Sequence, residues 1–154
     1  MEKMKFVLLG LPVLLTLRTV YADKQFIIPP FLLGAPESEV IEMKELLRKN
    51  ADKPDFQMEA VVEQWVKAKG GVIKEKYDQF KANMQLMHEK ATLLREAMAK
   101  NLSAEARKAD EDLANIGNDR TLSAQQKKEK FEKYLANLPL AVRNELQAVF
   151  YTKF

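Results

Sequence analysis

A helical hydrophobic repeat between residues 73 and 98 constrains the fold more than any other feature of the sequence. Apolar side chains recur there at alternating spacings of four and three residues: Ile73, Tyr77, Phe80, Met84, Met87, Ala91, Leu94 and Met98. This spacing predicts one long helix of about 40 Å whose seam packs within its own chain or pairs with a second copy as a coiled coil. Because other amphipathic segments flank the seam, packing within the chain is favoured, and we expect a monomer or a weak homodimer.

Shorter amphipathic segments lie on both sides of this repeat. Apolar residues at helical spacing predict a helix from about Glu37 to Arg48, and a second helix that ends at Gly70-Gly71. We expect Asp52 or Asp55 to cap the second helix at its start.

Three more helices are predicted after the long one, and their boundaries carry familiar signals. Ser103 can cap the first of them, Ser123 with Gln126 forms a capping-box pattern for the next, and Pro139 fits the first turn of the last. No segment alternates with a period of two residues, as a half-buried strand would. The predicted fold is therefore all-α, with one compact domain of about six helices over residues 37–154.

The first 22 residues have the composition of a secretory signal peptide. Lys3 and Lys5 precede an apolar run over residues 6–17 that is too short to span a bilayer, and Ala22 stands at a small-residue cleavage position. The sequence therefore predicts export, with a mature chain that begins at residue 23.

Residues 23–36 are predicted to form an extended, Pro-rich strap. Four helix-breaking residues interrupt a strongly apolar segment: Pro29, Pro30, Gly34 and Pro36. Its apolar side chains are expected to fill a hydrophobic groove of the helical domain, because exposed apolar patches are costly in monomers. A docking peptide for a partner is the alternative.

Charge and composition exclude several classes of function. Loss of residues 1–22 removes three basic residues and one acidic residue and lowers the formal net charge from +3 to +1, so nucleic-acid binding is not expected. The chain has no cysteine and only one histidine, His88, which excludes thiol chemistry and a histidine-rich metal site. Since no nucleophile elbow, phosphate loop or dinucleotide fingerprint is present, we predict that the protein is not an enzyme.

Oxygen ligands near residue 115 suggest a candidate cation site. The runs that begin at Asn50 and at Asp110 both fail the EF-hand pattern, which needs a glycine at the sixth position. Four side chains nevertheless surround a predicted helix end and its loop and are candidates to hold a hydrated Mg²⁺ weakly: Asp110, Asp112, Asn118 and Asp119. A solvated acidic face with ordinary turn chemistry explains the same residues and is the favoured interpretation.

Methionine and aromatic residues raise a second binding hypothesis. The chain has seven Met, eight Phe, four Tyr and one Trp, which would suit a pocket for a small apolar ligand such as a fatty acid. The candidate lining residues are Phe31, Trp65, Tyr77, Phe80, Met84 and Phe131. The same residues at helical spacing are also expected of an ordinary core. Separately, Asn101-Leu102-Ser103 is a sequon that would accept an N-linked glycan in an exported protein.

Short motifs spread over the mature chain resemble one family of secreted nematode antigens, the SXP/RAL family. The run Pro29-Pro30-Phe31-Leu32-Leu33-Gly34-Ala35-Pro36 is similar to the opening of its mature members, and a tryptophan before a Gly-Gly pair follows, as at Trp65 and Gly70-Gly71. The segments 77–81, 104–110 and 138–146 also agree, in the same order.

This resemblance implies a secreted helical protein of a nematode, antigenic and in some members allergenic, which host antibodies would meet. It also implies a cation-binding domain with helices arranged as in calmodulin, and therefore strengthens the hypothesis of Mg²⁺ or Ca²⁺ binding. The resemblance carries no ligand positions, so the four oxygen-bearing residues remain a hypothesis from the sequence alone.

Overall fold

The structure is a computed structural model, and it describes residues 28–150. A 3-10 turn at Pro30–Leu32 precedes six α-helices in this part of the chain, which has no strand. The helices are α1 (Glu37–Lys49), α2 (Asp55–Lys69), α3 (Gly71–Ala99), α4 (Ala104–Asn118), α5 (Ala124–Asn137) and α6 (Leu140–Phe150). The all-α fold with one long central helix is therefore confirmed. The predicted signal peptide, residues 1–22, lies outside the described residues.

The buried apolar residues of the described part of the chain form two hydrophobic cores, and the first joins the 3-10 turn to α1, α2 and the start of α3. Its buried members are Phe31, Leu32, Met43, Leu47, Met58, Val62, Val66 and Tyr77. Phe31 is 2% exposed and packs edge-on against Tyr77, with ring centroids 5.1 Å apart, and against Phe80 at 5.5 Å. The turn thus packs against α3.

The strap is only partly buried within the described range. Phe31 and Leu32 enter the first core as the apolar pattern predicts, whereas Leu33 is 58% exposed and its carbonyl oxygen accepts a hydrogen bond of 2.8 Å from Lys76 Nζ on α3. Residues 23–27 of the predicted strap lie outside the described residues. Of the described strap residues, Phe31 and Leu32 are therefore the apolar side chains that fill the first core.

The second core lies among α4, α5, α6 and the end of α3. Its buried members are Ala99, Leu102, Ala106, Ala109, Leu113, Phe131, Val142 and Leu146. Small alanines on α4 let neighbouring helices approach closely, and α4 accordingly packs against both α5 and α6.

Local sequence signals account for most helix boundaries. The Ser103 hydroxyl accepts a hydrogen bond from Ala106 N–H at the start of α4, and Ser123 with Gln126 completes the capping box of α5. Between α2 and α3, Gly70 and Gly71 have φ of 64° and 47°, which only glycine adopts without strain. These predicted boundaries are confirmed.

The predicted cap of α2 is wrong. Pro54 precedes the helix, and no side chain within residues 28–150 caps it. Instead, the N–H groups of Asp55 and Phe56 donate to the carbonyl oxygens of Leu122 and Arg120, at 3.2 and 3.3 Å. These donors have no partner within the helix, and the α4–α5 loop satisfies them. The Asp55 carboxylate does not cap the helix; it pairs with Lys127, which is distant in the sequence.

The long seam on α3 does not bury all of its members. Ile73, Tyr77 and Phe80 pack in the first core, whereas Met87 is 62% and Leu94 51% exposed. The middle of α3 therefore joins the two cores without being enclosed by either. The heptad pattern predicted the helix correctly, while burial follows the positions of the neighbouring helices.

Candidate cation site and the junction between the cores

Asp110, the first predicted cation ligand, lies on α4 against the central helix. It is 8% exposed, and its Oδ2 is 3.3 Å from Nη1 of Arg95 on α3. Burial raises the pKa of the Asp110 carboxyl above its ordinary value, although Arg95 acts in the opposite direction. The cationic partner of the Asp110 carboxylate is therefore Arg95.

Asp112 has its own partners on the opposite side of α4. The Tyr134 hydroxyl donates to its Oδ2 at 2.7 Å, and Lys108 Nζ lies 3.4 Å from the same atom. The hydrogen bond from Tyr134 is the main reason that the pKa of the Asp112 carboxyl is lowered. The pKa of Tyr134 is raised to about 12, mainly by burial of the hydroxyl and also by its hydrogen bond to Asp112. The Asp112 carboxylate thus ties α4 to α5.

Asp119 follows α4 directly and shapes the loop to α5. Its Oδ1 accepts hydrogen bonds from the Thr121 N–H at 2.9 Å and from the Thr121 hydroxyl at 2.6 Å. These bonds, led by the one from the hydroxyl, lower the pKa of the Asp119 carboxyl. Asn118, the last residue of α4, is exposed. Asn118 and Asp119 are therefore adjacent, solvent-accessible oxygen donors at a helix C-terminus.

The three carboxylates of the candidate set do not form one cluster. Residues two apart on an α-helix are separated by about 200° around its axis, so Asp110 and Asp112 face different neighbours. Within residues 28–150, no group of three or more histidine, cysteine, aspartate or glutamate side chains could hold a metal ion. The described side chains therefore do not fit a metal bound directly by all four candidates.

The six candidate pocket residues divide between the two cores. Phe31, Trp65, Tyr77 and Phe80 belong to the first core, Phe131 to the second, and Met84 is half-buried on α3. The rings of Phe31, Tyr77 and Phe80 pack against one another, so they fill the space that an apolar ligand would need.

A groove of about 380 Å³ remains beside the first core, where the strap passes the start of α3. Phe31, Ile73 and Val72 supply its apolar wall, and Lys69 and Lys76 lie at its border. Lys69 is paired with Glu42 at 2.7 Å, and Lys76 binds the Leu33 carbonyl oxygen. The groove is thus open and mixed in polarity.

The sequon lies in the turn between α3 and α4. Asn101 is exposed, while the Ser103 hydroxyl donates to Glu145 Oε2 at 2.7 Å and also caps α4. The asparagine is therefore accessible, and the hydroxyl that a glycan-transferring enzyme would recognise is engaged in the fold.

A buried ion pair that no sequence motif predicts lies at the junction between the cores. Lys127 Nζ on α5 lies 2.5 Å from Asp55 Oδ2 at the start of α2, and the two side chains are 3% and 2% exposed. One signal was present in the sequence: Lys127 falls four residues from both Ser123 and Phe131, on the inward side of α5. A lysine in that position requires a buried partner.

Ion pairs at the surface also connect this junction to α3. Glu59 on α2 pairs with Arg120 in the α4–α5 loop and with Lys81 on α3, and Lys81 also pairs with Glu63. Two helix–loop–helix units, α1–α2 and α4–α5, therefore meet at their loops. The long helix α3 connects the two units in the chain. None of the helices within residues 28–150 combines the length and apolarity that crossing a membrane requires.

The fold and the candidate site thus define an all-helical protein built from two helix–loop–helix units on a long central helix. A family model described as "SXP/RAL-2 family protein Ani s 5-like, metal-binding domain" matches residues 3–154. The chain belongs to the SXP/RAL-2 family. This agrees with the resemblance carried by the short sequence motifs.

Two curated relatives match most of the chain. The SXP/RAL-2 family protein Ani s 5 of Anisakis simplex is 35% identical over 119 residues, which cover 77% of this chain and 78% of that protein. The OV-17 antigen of Onchocerca volvulus is 30% identical over 119 residues, which cover 77% of this chain and 73% of that protein. No solved structure matches the chain significantly.

Proposed function

We propose that the protein is a secreted, non-enzymatic nematode antigen that binds hydrated divalent cations weakly at the C-terminal end of α4. Family membership carries this proposal, because the matching domain is described as metal-binding and one relative is named as an antigen. The signal-peptide pattern of residues 1–22 supports export. Contact with host antibodies would follow from export.

The end of α4 is the part of the candidate site that best suits a hydrated cation. Asn118 is exposed there, hydrogen bonds from Thr121 lower the pKa of the Asp119 carboxyl and so favour its charged form, and the carbonyl end of the helix dipole favours positive charge. Asp110 and Asp112 are not direct ligands in this proposal, because Arg95 and Tyr134 already contact their carboxylates. Mg²⁺ keeps several of its waters in such sites, which accounts for low affinity.

A two-dimensional amide NMR titration of residues 23–154 with Mg²⁺, and then with Ca²⁺, tests the site. We expect saturable shifts centred on residues 117–121, which the substitution Asp119→Asn abolishes. The matched control is Asp52→Asn, which removes an exposed carboxylate from the other helix–loop–helix unit. Absence of saturable shifts, or shifts unaffected by Asp119→Asn, would contradict the proposed cation site.

Export is tested separately from binding. Expression of the full chain in a eukaryotic secretory host should release a protein whose N-terminal residue is Asp23. An intracellular product that retains residues 1–22 would refute secretion. Mass spectrometry of the released protein would also show whether Asn101 carries a glycan, by comparison with the Asn101→Gln variant.

A carrier of a small apolar ligand is the second candidate. The groove beside Phe31 has about the volume of a small ligand site, and Val72 at its wall is 64% exposed. Fatty acid in the organic extract of the secreted protein, lost in the Val72→Asp variant, would favour this function. A lipid-free extract together with no binding of a fluorescent fatty acid would exclude it.

A further inference from the structure

The two helix–loop–helix units meet around a positive charge that belongs to the chain itself. Lys127 Nζ is 2.5 Å from Asp55 Oδ2 and 2.6 Å from the carbonyl oxygen of Gly117, in the last turn of α4. A carboxylate oxygen and a helix C-terminal carbonyl are the donor types that proteins offer to hard cations. Each unit contributes one of the two oxygens.

The ammonium group lies in an enclosed space. The Lys127 and Asp55 side chains are 3% and 2% exposed, and the hydrogen bonds from Asp55 and Phe56 N–H to the α4–α5 loop close the junction. A buried cation has lost its hydration shell, so it needs charged and hydrogen-bonding partners from the protein to be stable. The lysine stem holds the charge there covalently.

One carboxylate oxygen at this position has no partner among residues 28–150. Asp55 Oδ1 is buried and accepts no hydrogen bond from this part of the chain, although a carboxylate has lone pairs on both oxygens. The junction therefore offers three buried acceptor atoms: both oxygens of Asp55 and the Gly117 carbonyl. Lys127 uses two of them.

We propose that this junction is a cation site whose resident ion is the Lys127 ammonium, and that truncation of Lys127 opens it to a small primary ammonium ion. In the wild-type chain the site is closed to metal ions, since its enclosed centre is already filled. The metal-binding description of the family therefore does not apply to this centre. The inference is independent of the weak surface site proposed at Asp119.

Thermal unfolding of Lys127→Ala in buffer with EDTA tests the inference. Loss of the ammonium leaves a buried unpaired carboxylate, so the Tm should fall by about 15 °C. The n-propylammonium ion has the same heavy atoms as the portion of lysine that is removed. At about ten times its Kd it should restore about 5 °C to the variant, with no comparable gain for wild type.

Two controls separate a specific site from a general salt effect. Tetramethylammonium chloride at equal ionic strength has no N–H donor and should restore nothing. The double variant Asp55→Asn/Lys127→Ala lacks the carboxylate and should melt above Lys127→Ala without responding to propylammonium. If Lys127→Ala is unfolded alone, the expected result is recovery of its helical spectrum on addition of propylammonium but not of tetramethylammonium.

Three outcomes would overturn the inference. One is an equal response of Lys127→Ala to both amines. Another is a response to propylammonium that survives Asp55→Asn. The third is a shift of the Asp55 and Lys127 amide signals in wild type on addition of Ca²⁺ that Asp119→Asn does not change, because this would show a metal entering the junction. Since the propylammonium series contains EDTA, its result does not depend on the surface cation site.

Discussion

Replacement of Phe31 by alanine should weaken the packing of the 3-10 turn against the first core. The Phe31 side chain is 2% exposed, and it packs against Tyr77 and Phe80 of α3. An aromatic side chain that buries about 150 Å² contributes about 4 kcal/mol at about 25 cal/mol per Å². This value agrees with the roughly 3–5 kcal/mol measured for buried Phe→Ala substitutions. For a helical domain of this size, it corresponds to a Tm lower by about 15 °C.

Urea and thermal unfolding of Phe31→Ala, followed by circular dichroism at the helix band, measure this loss. The control is Leu33→Ala, two residues away in the same strap, where the side chain is 58% exposed. Exposed positions of this kind usually change stability by less than about 0.5 kcal/mol. If the two variants unfold within about 1 kcal/mol of each other, the strap is not held by Phe31 and the burial argument is refuted.

Further substitutions test caps, charges and the exposed part of α3. Ser123→Ala should cost about 1 kcal/mol of unfolding free energy because it removes the α5 capping box, while Ser123→Thr should retain most of it; equal losses would contradict the cap. Hydrogen bonds from the backbone and hydroxyl of Ser103 lower the pKa of Glu145, so its stabilising contribution is present above its unfolded value near 4.5 and is lost as the pH falls through its folded value. The Tm difference between wild type and Glu145→Gln should therefore shrink from pH 7 to pH 3, and a constant difference would refute that role. Leu94→Gln should change the unfolding free energy by less than about 0.5 kcal/mol, and a large loss, or a mass that depends on concentration in wild type alone, would instead show that the α3 seam is an interface.

The sequence by itself determined the helices and most of their ends. Periodic apolar residues specified the helices, and Ser103, Ser123 and the Gly70-Gly71 pair marked boundaries that depend on hydrogen bonds and dihedral angles within a few residues. The apolar pattern of the strap also predicted buried side chains, which is confirmed for Phe31 and Leu32 but not for Leu33.

Only the tertiary structure decided which side chains meet. Asp55 and Lys127 are 72 residues apart, and no local pattern links them, so Asp55 was predicted to cap a helix when it in fact pairs across the junction. Two of the candidate ligands on α4 show the same limit: the sequence places Asp110 and Asp112 on one segment, while the tertiary structure pairs Asp110 with Arg95 and Asp112 with Tyr134. Met87 and Leu94 fit the heptad as well as Tyr77 does, yet they are exposed, because burial depends on where the other helices lie. Local signals act within one or two helical turns, whereas ion pairing and burial depend on distances between segments that are remote in the chain.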